Sequence, residues 1–109
     1  MAYAHKQTNT FYKTKKWRRK REAILRRDKY ECRECKRYGK TTQATTVHHI
    51  YPLEDYPEYS LTNENLYSVC NTHHESFHNK FTGELTKKGI ALMKRMKAEI
   101  EKPRHLLKQ

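Results

Sequence analysis

The stretch Cys70-Asn71-Thr72-His73-His74-Glu75-Ser76-Phe77-His78 brings one thiol and three imidazoles into nine residues. Within it, Cys70-x-x-His73 is a ligand pair one turn apart, and the same spacing occurs upstream in Cys32-Arg33-Glu34-Cys35. Each pair lets two side chains from a single turn reach one ion, and four N/S ligands match the tetrahedral preference of structural zinc. Buried cysteines often have no metal, and one such pair alone would be weak. Here the two pairs consume all three cysteines of the chain, an odd number that argues against a closed disulfide framework.

Downstream of Cys70 the spacing predicts a helix with Asn71 or Thr72 near its cap, running to about Phe81. On it His74 and His78 are at i and i+4 and share a face, while His73 points about 100° away, so neighbours can serve different sites. Upstream, residues 41–50 contain β-branched Thr45, Thr46, Val47 and Ile50 and predict a strand that Pro52 closes. His48 and His49 fall at its end. A regular strand points them to opposite faces, so one site uses both only if the strand end twists or bends. A single histidine is usually a surface or satisfied core group, which suffices for His5 and His105. Clustering of His48, His49, His74 and His78 at paired spacings points instead to a second metal or catalytic site.

Around these motifs the chain divides simply. Residues 1–12 read as a loose polar arm. From Thr14 to about Asp28 a helix is expected, with Trp17, Ile24 and Leu25 as its buried stripe and Ala23 beside them. Lys15, Lys16, Arg18, Arg19, Arg21, Arg26 and Arg27 surround that stripe, either tracking a DNA backbone or forming a solvated face. Gly39 marks a turn, residues 52–64 an irregular loop, and Leu66–Val69 a second strand. Thr86 caps a last helix with Ile90, Met93, Lys97 and Ile100 on one face, ended by Pro103. Tyr51, Tyr56, Tyr59 and Tyr67 are read mainly as packing around a thin core, and Met93 and Met96 as core or protomer contacts.

Composition agrees with a stapled, polyanion-binding domain. The chain has 109 residues, enough for one domain, and only 35% of them are hydrophobic. A core this lean usually needs a metal or disulfides. The net charge of +12 favours nucleic acid through phosphate contacts and counterion release. No apolar run has signal-peptide or membrane-span length, so no membrane partner and an intracellular, reducing setting are expected.

Taken together, Val47-His48-His49-Ile50, then Asn65-Leu66, then Cys70-x-x-His73-His74 with His78 resembles the HNH endonuclease (His-Me finger) motif. With Cys32-x-x-Cys35 ahead of it, the chain is similar to the small phage and prophage HNH proteins over roughly residues 12–80. The resemblance implies an α+β fold: a small zinc-stabilised ββα-metal, treble-clef-like domain with flanking helices. It would occupy residues 13–81, between the arm and a C-terminal helix and tail at 82–109. It implies His49 as general base, His48 as the preceding metal-ligand position and Asn65 as the brace that holds His49. His74 becomes the last ligand of the motif, and His78 the additional helix histidine of colicin-type DNases. Implied too are metal-dependent cleavage of DNA, nicking or double-stranded, and 5′-phosphate and 3′-hydroxyl ends. The setting would be phage packaging in the bacterial host cytoplasm, with terminase or portal partners and a monomeric or dimeric chain.

Two positions depart from the pattern. His73 stands where many relatives have Cys, a swap zinc accepts. His48 stands where many have Asp, which should tilt the catalytic cation from Mg²⁺ toward Mn²⁺, Ni²⁺ or Zn²⁺. A non-catalytic zinc module that binds DNA or RNA accounts for the charge and the Cys/His set. It leaves His48, His49, Asn65, His74 and His78 unexplained. A homing or restriction enzyme would need a sequence-reading domain for which the length leaves little room.

Overall fold

The computed structural model describes residues 10–102; residues 1–9 of the expected arm, Pro103 and His105 lie outside them. Helix α1 (Lys15–Arg27) is rich in helix-forming Lys, Arg, Glu and Leu, and the Thr14 hydroxyl caps it by accepting from the Trp17 N–H. Its Trp17, Ile24 and Leu25 are buried, as the stripe predicts, whereas Ala23 is exposed. The helix stops where Lys29 and Tyr30 both take positive φ, 57° and 58°, and the Tyr30 N–H bonds back to the Leu25 carbonyl. That reversal delivers the chain to Cys32, which caps the one-turn helix α2 (Arg33–Arg37).

Strands β1 (Thr46–His49) and β2 (Leu66–Val69) pair antiparallel, with His48 opposite Tyr67 and His49 opposite Leu66. β1 is shorter than the strand predicted over 41–50, because the chain before Thr46 is pinned elsewhere: the Ala44 N–H bonds to the Tyr30 carbonyl. Both strands are almost wholly buried, since helices cover both faces. Val47 and Leu66 pack with Trp17, Ile24, Leu25 and Ala44 on the α1 side. On the other side Ile50, Tyr51, Tyr67, Val69 and Phe77 form a second cluster with the last helix. The tyrosines are packing groups, as expected. Tyr51, Tyr56 and Tyr59 form an edge-on aromatic cluster in the loop between the strands.

Helix α3 is Asn71–Phe77, shorter than predicted, and His78 is extended at φ −129°, ψ 141°. The returning chain ends it. Thr86 donates its N–H to the Phe77 carbonyl and its hydroxyl to the Ser76 carbonyl, taking the acceptors the next turn would have used. Thr86 then caps helix α4 (Lys87–Ile100) as anticipated. The face it buries is Gly89, Leu92 and Ile100, with Met93 and Met96 half-buried; Ile90 is 43% exposed and Lys97 pairs with Glu101 in solvent. The predicted face is therefore rotated, and Gly89 shows why. A Cβ there would lie 2.6 Å from the Phe77 carbonyl oxygen and 2.8 Å from the Leu85 side chain. Gly89→Ala gains helix propensity of about 1 kcal/mol but must overcome this clash, a loss of about 1–3 kcal/mol. We expect a net fall in the urea midpoint, and a rise would mean that α4 yields freely.

Candidate active site and metal centre

Cys32 caps α2, Cys35 follows within it, and Cys70 caps α3 with His73 one turn on, so two helix N-termini aim four ligands at one point. His73 Nδ1 lies 3.6, 3.4 and 3.5 Å from the sulfurs of Cys32, Cys35 and Cys70, and the Cys35 and Cys70 sulfurs are 3.9 Å apart. Ligands about 2.3 Å from a tetrahedral zinc are separated by about 3.8 Å, so the spacing suits that ion. Burial pushes the Cys32 thiol up to about 11, against the backbone N–H groups that pull it down. A cation in the centre would favour the thiolates that such burial disfavours. Beneath the knuckle, buried Glu34 accepts from Tyr67, Arg37 and Arg95, tying α2 to β2 and α4.

The second group lies across α3. His48 is 1% exposed, and neither of its ring nitrogens has a hydrogen-bond partner. Such orphaned nitrogens are costly unless something else occupies them. One ligand atom from each of His48, His74 and His78 falls within a mutual 4.8 Å. Burial, then the neighbouring His78, His74 and His49, hold His48 well below the usual histidine range; burial and His78 likewise lower His74. His48 and His74 are thereby held as neutral imidazoles, the form that binds metal. His78 joins it from an extended residue rather than from the helix face predicted. Its Nδ1 faces the Gly83 carbonyl at 3.1 Å, which fixes the ring and leaves Nε2 for other partners.

His49 leaves the strand on the opposite face, as period-2 alternation requires, and stacks on Trp17 with ring centres 5.0 Å apart. Its Nε2 is 3.0 Å from the Ser60 carbonyl. A carbonyl only accepts, so Nε2 carries the proton and Nδ1 the lone pair. Near Nδ1, at 3.4 Å, is the Tyr12 hydroxyl. Burial pushes the His49 pKa down to about 4, against the Ser60 contact, which raises it. Despite their opposite faces, His48 and His49 border one cavity of about 420 Å³, together with His74, His78, Tyr12, Trp17 and Arg21. The strand ends here, so rings on its two sides can open onto the same space.

Asn65 is fully buried and accepts from the Tyr51 N–H at 2.7 Å while donating to the Tyr51 and Tyr59 carbonyls. These bonds clamp the loop whose Ser60 carbonyl orients His49. Tyr12 and Ser60 were not among the residues singled out in the sequence. Residues 10–12 form a helical turn whose Phe11 and Tyr12 rings pack on Trp17 and His49, and the polar arm carries no periodicity that foretells it. Ser60 contributes only its backbone.

Of the basic residues, Lys15, Lys16, Arg18, Arg19 and Arg26 are exposed along α1, and Arg21 borders the cavity. Arg27 is committed inward instead: its guanidinium donates to the Leu66 and Asn63 carbonyls and pairs with Asp28. Its guanidinium is thus engaged by strand-end acceptors and Asp28.

Comparison with known proteins agrees with this geometry. A family model described as HNH endonuclease matches residues 32–80. The solved HNH endonuclease of the deep-sea thermophilic bacteriophage GVE2, determined with manganese ion, is 37% identical over 64% of this chain and 76% of its own, with a TM-score of 0.63. No curated protein matches. With a two-stranded sheet flanked by helices, both ligand clusters and this kinship, the chain belongs to the HNH endonuclease family and is a nuclease.

Proposed function

We propose that this nuclease hydrolyses DNA phosphodiester bonds with His49 as general base, beside a divalent cation held by His48, His74 and His78. A separate structural zinc would sit on Cys32, Cys35, Cys70 and His73. The observation that carries the reading is the meeting of three imidazoles in a cavity that His49 also lines. In the mechanism, Ser60 keeps Nε2 protonated, so Nδ1 of His49 receives the proton of the attacking water. Its low pKa keeps the ring unprotonated at neutral pH, ready to accept. Asn65 acts through the loop it clamps and is a positioning residue. When bound, the cation supplies Lewis-acid stabilisation of charge on the scissile phosphate and the leaving oxygen. The family resemblance supports 5′-phosphate and 3′-hydroxyl products. A nuclease domain spanning 13–81 is the division this site supports, with α4 buttressing it from outside.

The test is supercoiled plasmid incubated with protein, first in EDTA and then with added Mg²⁺, Mn²⁺, Ni²⁺ or Zn²⁺. We expect no cutting in EDTA, and stronger cutting with Mn²⁺ or Ni²⁺ than with Mg²⁺, because the ligands are all imidazoles. The manganese in the phage relative supports Mn²⁺ as one of the candidate cations. Cutting that persists in EDTA would defeat the metal-dependent reading, and clear preference for Mg²⁺ would defeat the proposed role of His48 in metal choice.

For DNA contact we propose Lys15, Lys16, Arg18, Arg19, Arg21 and Arg26. Each lost phosphate contact lowers the slope of log affinity against log salt by about 0.9. Replacing Arg18, Arg19 and Arg21 together by Gln should therefore flatten it by about 2–3. An unchanged slope would make α1 a solvated face. The bacteriophage source of the relative supports a phage setting, and the family resemblance extends it to packaging in an infected cell with terminase or portal proteins as partners. Among the described residues, no helix is long and apolar enough to cross a membrane.

A further inference from the structure

Phe81 is 90% exposed, the most exposed large apolar side chain among the described residues. A single exposed phenyl is ordinary in itself. Three observations set this one apart. First, its turn is rigidly built: the Asn79 side-chain oxygen accepts from the Phe81 and Thr82 N–H groups at 2.8 and 3.0 Å. The Gly83 N–H closes onto the Asn79 carbonyl at 2.7 Å, and Gly83 takes φ +79°. Second, the turn grows directly from the histidine trio. His78 begins it, Gly83 holds His78 Nδ1, and Gly83 lines the cavity shared by His48, His49 and His74. Third, lysines predominate among the exposed charged residues nearby in the chain, with Lys80 beside it, Lys87 and Lys88 just beyond the turn, and Glu84 the acid between them.

A phosphate-attracting rim carrying one stiffly held apolar ring is the chemistry of a base-stacking wedge. Resting on the DNA-cleaving reading above, we infer that Phe81 inserts against the bases next to the phosphate that is cut, fixing that phosphate over the site. Phenyl groups placed between base steps unstack them, and aromatic–base stacking contributes strongly to affinity. Another copy of this chain is a poorer occupant, because each copy carries +12 and the rim would repel its counterpart.

The test uses short duplexes with 2-aminopurine placed at successive positions, bound by protein carrying His49→Ala so that the DNA stays intact. With Phe81 present, fluorescence should rise at one step. Adding Phe81→Ala should remove that rise and weaken binding roughly 5- to 150-fold, and Phe81→Trp should restore both. Zinc content and melting should not change, since Phe81 packs against nothing in the core. Equal affinity and an equal rise without Phe81 would overturn the inference, as would a Phe81-dependent dimer in sedimentation without DNA. Plasmid cutting by the unaltered protein separates the two readings. Cutting without base insertion overturns only the wedge, and insertion without cutting overturns the catalytic assignment.

Discussion

His49→Ala protein should leave supercoiled plasmid uncut while keeping its zinc and its affinity for DNA. The ring's two nitrogens have separate surroundings: Nε2 faces the Ser60 carbonyl, and Nδ1 lies near the hydroxyl of Tyr12, which borders the cavity with His49. Positioned general bases contribute about 10²–10⁴-fold, so the residual rate should be at most about one hundredth of the original. Removing the ring also opens space against Trp17 and Tyr12. A thermal melt must therefore show the variant folded at the assay temperature, and His49→Gln offers a bulkier control. Full cutting by a folded His49→Ala protein would remove His49 from the mechanism.

Cys35→Ala, or stripping of metal by a strong chelator, should abolish the cooperative unfolding transition. The two cores are small, and the ligands come from α2 and α3, elements of five and seven residues that have little helical stability of their own. Structural zinc contributes about 10–16 kcal/mol of apparent free energy at neutral pH in the smallest domains, more than a domain of this size can spare. The expected readouts are one zinc per folded chain in excess of any cation at the histidine trio, and loss of near-UV dichroism when it is removed. A metal-free chain that melts at the same temperature would show that packing alone holds the fold.

How much of this was legible beforehand differs from element to element. Thr86 was readable as a cap, and Thr14 as the start of the helical pattern, because a hydroxyl before a periodic run can satisfy a free N–H by local geometry alone. β2 was readable because a β-branched and aromatic run after a polar loop has few alternatives. The end of α3 was not, since the groups that stop it belong to Thr86, beyond a turn. The orientation of α4 was hidden for a similar reason. It is set by how closely Gly89 approaches Phe77, a steric fact with no hydrophobic signature. Arg27 read like its basic neighbours and differs only because carbonyls of a distant strand end lie within its reach.

The sequence by itself determined the ligand chemistry. Paired Cys and His at one-turn spacing, a lean core and a large positive charge are properties of residue type and local separation, and they pointed to zinc and to phosphate. Only the tertiary structure decided which imidazoles meet. His48 and His49 are neighbours in the chain yet leave the strand on opposite faces, and they share a cavity because β1 ends there while α3, the Gly83 turn and the Tyr12 ring close around it. Local rules act over a few residues. The positions of these groups depend on contacts tens of residues apart, where packing, not spacing, fixes the distance.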